Sequence, residues 1–320
     1  MPNKRFRTFS LGLVVYTVLV ILWGAWVRIS RSGAGCGEHW PLCNGELLPG
    51  TSVPATWIEF SHRISTGIYG ILIAGILIWA LRIYPRTHAV VRMACFAVLF
   101  TALEAWIGAR LVLSGLVADD TSLRRTIFMA LHQINSMLLS GSTYLIFVFA
   151  AYPSSPAPLR RIFKTPRGWW LLLILLFPLI VSMSGAIASL ASTLFPSTSL
   201  LEGLGKDFAA DAHPVLRYRL WHPVLAVTLG VSLIGALWPR VIGAEVSEAV
   251  LSARRSFISL IGVNLLFGAS TLLMLSPVWM KLTHLAMAHF VWFSALLLTA
   301  VSAQEWAHHG DHSLSQPRTR

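Results

Sequence analysis

The sequence predicts an all-α polytopic membrane protein, with eight transmembrane helices arranged as two pseudo-symmetric four-helix bundles. Three observations carry that expectation. Charged residues make up only 12% of the 320-residue chain and hydrophobic ones 55%, a balance foreign to soluble domains. Uncharged apolar runs long enough to cross a bilayer recur eight times along the chain. Four histidines, His62, His132, His222 and His284, stand at the N-terminal ends of the even-numbered runs.

The spans are placed near 10–28, 58–81, 93–113, 127–150, 168–189, 220–238, 256–275 and 280–303. The first run is too long for the apolar region of a secretory signal and has no small-residue cleavage site after it. Topology follows from the cations. Lys4, Arg5 and Arg7 precede span one, and Arg82, Arg86 and Arg92 follow span two. Arg160, Arg161, Lys164 and Arg167 follow span four, Arg240, Arg254 and Arg255 follow span six, and Arg318 and Arg320 end the chain. Fifteen of the 25 Lys and Arg thus fall on one side, which makes that side, with both termini, cytoplasmic. The net charge of +12 is topological, so no nucleic-acid partner is expected. Even-numbered spans all enter from the outer face, so the four imidazoles share one depth near that face.

The two halves repeat. Gly24-Ala25 matches Gly185-Ala186 at an offset of 161, His62 matches His222 and Gly108 matches Gly268 at 160, and His132 matches His284 at 152. A shorter outer loop between spans seven and eight accounts for the smaller offset. The expected division is an N-terminal half, 1–150, and a C-terminal half, 151–320, each with histidines on its second and fourth helices. Four-helix bundles commonly build cofactor sites from facing helices. Imidazole is a frequent iron ligand, and two of them suit a low-spin haem. Two bis-histidine metal or haem sites are therefore expected. His289 is a rival ligand to His284, but it lies deeper and off that face.

The halves differ where acid–base chemistry is concerned. Glu59 precedes His62 by three residues, close to one helical turn, whereas the matching position of the second half is Arg219. Glu59 is either a proton acceptor beside a reactive site or a cap and partner for Arg63. Glu104 in span three matches Asn264; an ionisable group inside a span faces a cavity or a partner, so Glu104 either handles protons or accepts hydrogen bonds from neighbouring helices. Cys36 and Cys43, in the first outer loop with six residues between them, have no counterpart in the second half. On the outer side they form either a disulfide or a transient redox pair. Cys95, in span three, reads as a small buried apolar residue. Arg28, Arg63, Arg124, Arg125, Arg217 and Arg219 cluster near the outer face, where arginines either anchor the interface or bind carboxylates such as haem propionates. One reactive site and one cofactor site is the simplest reading.

At these residues the chain resembles the haem A synthase family. The motifs are GAWVRISRSGAGCGEHWPLCNGELLP at 24–49 and IEFSHR at 58–63, supported by ALHQIN at 130–135, RLWHPVLAV at 219–227 and LTHLAMAHFVW at 282–292. The chain departs from many members in carrying His39 where they have Asp, and it lacks the second cysteine pair that some carry. The resemblance implies a bacterial plasma-membrane oxidoreductase that converts the C8 methyl of haem O to a formyl group, supplying haem A to cytochrome oxidase. It implies that His62 and His132 hold the haem O substrate, that His222 and His284 hold a haem b cofactor, and that Glu59 is the catalytic carboxylate. Cys36 and Cys43 would be the outer-loop pair, with Arg28, Arg63 and Glu104 as propionate or proton contacts. Membrane lipid, haem O synthase, cytochrome oxidase subunits and a second copy of the chain are the expected partners. Two other classes remain open: a two-haem cytochrome b passing electrons from quinol, and a haem transporter built on the duplication.

Overall fold

The computed structural model describes residues 3–152, 166–238 and 246–314, and these are helical without strands. Arg160, Arg161, Lys164, Arg240, Arg318 and Arg320 lie outside the described residues. The helices are α1 (Lys4–Ile29), α2 (Pro54–Ile83), α3 (Ala89–Leu113), α4 (Leu123–Ala151), α5 (Pro166–Leu194), α6 (Leu200–Phe208), α7 (Pro214–Arg219), α8 (Trp221–Leu237), α9 (Glu248–Leu273) and α10 (Val278–Leu314). With α7 and α8 counted as one span, eight segments among the described residues are long and apolar enough to cross a membrane. The chain is an all-α, multi-pass membrane protein.

Most helices begin several residues before the apolar run that announces them, because caps and not hydropathy set their starts. Pro54 opens α2 at its first turn, where its missing N–H costs nothing. The Ser122 hydroxyl accepts the Arg125 amide at the start of α4, and Ser247 does the same for Val250 at α9. His88 caps α3 through its ring nitrogen. The expectation that the histidines open their helices holds for His222, the second residue of α8, and is corrected for His62, His132 and His284. His62 lies eight residues beyond the start of α2 and His132 nine beyond the start of α4. At about 1.5 Å per residue they sit roughly two turns inside.

Helices α1 to α4 close a ring by neighbour contacts, and α5, α8, α9 and α10 close another. The rings meet through α1, α4, α5 and α10. Polar and small side chains line that seam, as expected where the lipid outside is as apolar as the protein inside. The Trp292 indole donates to the Met137 carbonyl at 2.7 Å. Gly141 makes room for it, since a Cβ there would lie 2.5 Å from the indole nitrogen. Tyr144 stacks on Phe293 at 4.7 Å. Cys95, expected to be buried, is exposed on the outer surface of the bundle, which the bilayer makes as apolar as a core.

Helices α6 and α7 were not expected. They are too short to show in a hydropathy window, yet Ser199 and Glu202 carry the serine-to-glutamate spacing of a helix start. The Ser199 hydroxyl accepts the Glu202 amide, and the Glu202 carboxylate reaches back to the Thr198 amide at 2.7 Å. Glu202 also pairs with Lys206 at 2.7 Å, and these bonds lower its carboxyl to a pKa of about 2.

Candidate functional site

The first ring encloses a cavity of about 770 Å³, within the range of cofactor and ligand sites. Its walls include His62 from α2, His132 from α4, Glu104 from α3, Arg28 from α1, and Glu59 and Arg63 from the N-terminal part of α2. Trp40, Pro41, Leu42 and Leu47 of the loop between α1 and α2 roof it.

Glu59 is buried at that roof. One carboxylate oxygen accepts the Cys36 amide at 2.9 Å, and the other pairs with Arg63 at 2.5 Å. The second guanidinium nitrogen of Arg63 donates to the carbonyls of His39 at 2.7 Å, Pro41 at 3.3 Å and Leu42 at 2.6 Å. Cys36 and Cys43 form a disulfide, and the Thr56 hydroxyl ties the same loop to α2 through the Gly35 carbonyl at 2.8 Å. Thus Arg63, expected as a propionate or proton contact, ties the loop to Glu59 through its two terminal guanidinium nitrogens.

Arg28 differs. Its Nη2 reaches the Ser189 hydroxyl of α5 at 3.3 Å, while its Nε has no partner among the described residues. Arg125 is buried, donates to the Ala118 and Asp120 carbonyls at 2.7 Å, and likewise keeps an unpartnered Nε. Both line the cavity, so an anionic group entering beside them finds two cations.

Glu104 is wholly engaged. It accepts the His132 Nδ1–H at 2.9 Å, the Asn135 amide at 2.5 Å and a hydrogen bond from the Ser136 hydroxyl. This directs the remaining imidazole nitrogen of His132 toward Gly108, 3.8 Å from the place of an added Cβ.

In the second ring His222 and His284 face each other, with centroids 6.2 Å apart and planes at 74°. Two imidazoles bound to one metal through bonds of about 2 Å have centroids roughly 6 Å apart. The Ser184 hydroxyl meets His222 Nδ1 at 3.1 Å, whereas His284 Nδ1 has no partner among the described residues. Three of the four histidines press on a glycine. An added Cβ would stand 2.8 Å from the ring of His62 at Gly24, 3.0 Å from His222 at Gly185 and 2.9 Å from His284 at Gly268. Among the described residues no three His, Cys, Asp and Glu side chains converge as a metal cage; the donors come as imidazole pairs, which fits a planar macrocycle holding its own metal. His289 is fully buried at the seam between the rings and meets the Ser140 hydroxyl at 3.1 Å.

Residues 7–296 match the family model of the cytochrome oxidase assembly proteins, COX15-CtaA. The chain belongs to this family. Among its relatives, a protoheme IX farnesyltransferase of Thermus thermophilus is 36% identical over 304 residues, 94% of this chain and 49% of that protein. A heme A synthase of Symbiobacterium thermophilum is 38% identical over 110 residues, 34% of this chain and 36% of the relative. One of Bacillus licheniformis is 30% identical over 208 residues, 63% and 66% of the two chains. The chain therefore spans about half the length of the Thermus relative.

Several contributors escaped the sequence reading. Ser136, Asn135 and Ser184 are ordinary helix residues until their partners are known. Asp207, on the unexpected α6, pairs with Arg219 at 2.5 Å, so the position that matches Glu59 takes its carboxylate from the loop. The glycines were legible as repeat markers, not as seats for imidazole rings.

Proposed function

We propose that this chain is a haem A synthase, oxidising the C8 methyl of haem O to a formyl group and so making haem A for cytochrome oxidase. The observation that carries this reading is the cavity of the first ring, where His62 and His132 share walls with the buried carboxylate of Glu59. The second ring offers an imidazole pair with Arg219 in place of that acid. We assign haem O to the N-terminal half, 1–150, and haem b to the C-terminal half, 151–320, held by His222 and His284. Bound there, haem b supplies one-electron transfer.

The chain's own residues bind, orient and move protons. His62 and His132 position the substrate's iron. Arg28 and Arg125 receive its propionates, and the roof of Trp40, Pro41 and Leu42 covers its edge. Conversion of the methyl through an alcohol to a hydrated aldehyde, with two water molecules as the oxygen source, passes four electrons to an acceptor outside the chain and releases four protons at that carbon. Glu59 accepts them, with Arg63 stabilising the carboxylate beforehand. The hydrated aldehyde then loses water. The carboxylates on the cavity wall are Glu46, Glu59 and Glu104, and two of them are committed to Arg63 and His132. That set suits oxidation better than the diphosphate chemistry of prenyl transfer. The farnesyltransferase name of the Thermus relative instead supports a haem O synthase as the partner that supplies the substrate. The setting is the bacterial plasma membrane with both termini in the cytoplasm.

Haem extraction and mass analysis from cells co-expressing the chain with a haem O synthase tests the assignment. Haem A, or its hydroxylated precursor, is the expected product. Haem b alone on the purified protein, with haem O supplied and unchanged, favours a two-haem electron-transfer cytochrome, the reading that the His222–His284 pair would satisfy equally well.

A further inference from the structure

We infer that Glu104 and its repeat counterpart Asn264 set the two haem sites at different reduction potentials, the N-terminal site the lower, so that electrons leave the substrate half for the cofactor half downhill. The inference rests on the haem assignment above and concerns what distinguishes the two sites.

Each ring has one imidazole with a hydrogen-bond partner at Nδ1 and one without. In the first ring the supported imidazole is His132 and the support is a carboxylate, Glu104 at 2.9 Å. In the second it is His222, and the support is the neutral hydroxyl of Ser184 at 3.1 Å. His62 Nδ1 and His284 Nδ1 have no partner among the described residues. The position matching Glu104 is Asn264, whose Oδ1 is buried and also unpartnered. The duplication has thus kept the polar residue opposite the fourth-helix histidine, while a charge and a hydrogen bond are present on one side only.

A carboxylate has only acceptors, so His132 donates its Nδ1–H to Glu104 and leaves Nε2 as the metal-facing nitrogen. The negative partner makes that nitrogen a stronger donor and stabilises the more positive oxidation state of a metal bound to it. Glu104 lies inside the spans, where the low dielectric strengthens the effect. Ser184 has no charge to contribute, and Asn264 makes no bond to His284. Axial-ligand hydrogen bonding is one of the few levers a protein has on haem potential. Glu104 is accordingly a positioning residue: it acts through His132 and fixes both the ring's orientation and its donor strength.

The test is spectroelectrochemical titration of the detergent-solubilised full chain loaded with haemin. The two signals are assigned by emptying one half at a time with His62→Ala/His132→Ala or His222→Ala/His284→Ala. The wild-type N-terminal haem is expected to titrate at the lower potential. Glu104→Gln shifts it upward while both haems keep their low-spin spectra. Asn264→Asp, which puts a carboxylate in place of the neutral amide at the matching position, shifts the C-terminal haem downward. A carboxylate that served only packing would move neither potential. If Glu104→Gln fails to take up haem, the Asn264→Asp shift decides alone. Two bound haems with potentials that neither substitution moves overturn the inference; a wild-type chain that takes up no haem in its N-terminal half overturns the haem assignment itself, and the inference with it.

Discussion

Glu59 accepts the backbone amide of Cys36 at 2.9 Å, so the acid at the roof of the first cavity is held in place by one end of the disulfide. Arg63 grips the other oxygen of the same carboxylate and the carbonyls of the same loop. Acid, arginine and loop form one unit in the first half, whereas in the second half Arg219 pairs with Asp207 of α6.

The first prediction concerns the charge in that unit. Glu59→Gln keeps the shape and can still accept the Cys36 amide, but it removes the proton acceptor. Haem content should stay at the wild-type level while haem A and its hydroxylated precursor fall by about 10²-fold, the usual scale for a positioned acid–base group. Mass analysis of extracted haem measures both quantities. Undiminished product would leave Glu59 a loop anchor only.

The second concerns the loop. Replacing Cys36 and Cys43 together with Ser opens a short closed loop, a loss of about 2–3 kcal/mol by the chain-entropy account. The melting temperature in detergent should fall, and amide exchange at position 36 should quicken as its hold on Glu59 loosens. The Arg63 contacts to His39, Pro41 and Leu42 keep the loop near the cavity, so haem binding should weaken less than conversion. An unchanged melt and unchanged exchange would mean that Arg63 and Thr56 hold the roof without the disulfide.

Much of this was legible before any coordinates. Eight spans follow from apolar length alone, and the four histidines follow from the register of the repeat. What sequence could not supply was direction. Nothing in the order of residues says that Arg63 turns toward loop carbonyls while Arg28 keeps an unpartnered nitrogen, because that depends on the path of a roof fixed by Thr56 and the disulfide. The depth of His62 and His132 was misjudged for a related reason: hydropathy marks where apolar residues begin, whereas Pro54 and Ser122 start the helices earlier. Glu104 was recognisable as an ionisable group that needs a partner, but its partner, His132, lies 28 positions away on another helix.

The third prediction uses the glycines that seat the imidazoles. Gly185→Ala puts a methyl 3.0 Å from His222, and Gly268→Ala puts one 2.9 Å from His284. Overpacking of this kind costs about 1–3 kcal/mol, roughly 5- to 150-fold in affinity, and it falls on the C-terminal site. Gly24→Ala does the same to His62 in the N-terminal site. Gly108→Ala is the internal control, since its methyl would meet His132 at an ordinary 3.8 Å. Haem titration followed by absorbance should therefore show weakened binding for three substitutions and near wild-type binding for Gly108→Ala. Equal effects at all four positions would mean that the glycines matter for helix packing and not for the imidazoles.

The last concerns the seam between the rings. Trp292 on α10 reaches into α4, where its indole N–H donates to the Met137 carbonyl in the space that Gly141 leaves open. That carbonyl lies in a helix and also accepts the Ser140 hydroxyl at 3.0 Å, so the indole adds a further bond to an acceptor already in use, and the contact depends on close approach more than on a missing partner. Gly141→Ala would place a methyl 2.5 Å from the indole nitrogen and must push α10 from α4 or turn the ring. The expected loss is about 1–3 kcal/mol, read as a lower melting temperature in detergent. Trp292→Phe, which keeps the ring but not the N–H, should cost less, about 0.5–1.5 kcal/mol for one hydrogen bond plus a smaller ring. Combined, the two substitutions should cost less than their sum, because the smaller ring relieves the methyl. Strict additivity would show that Gly141 and Trp292 do not meet across the seam.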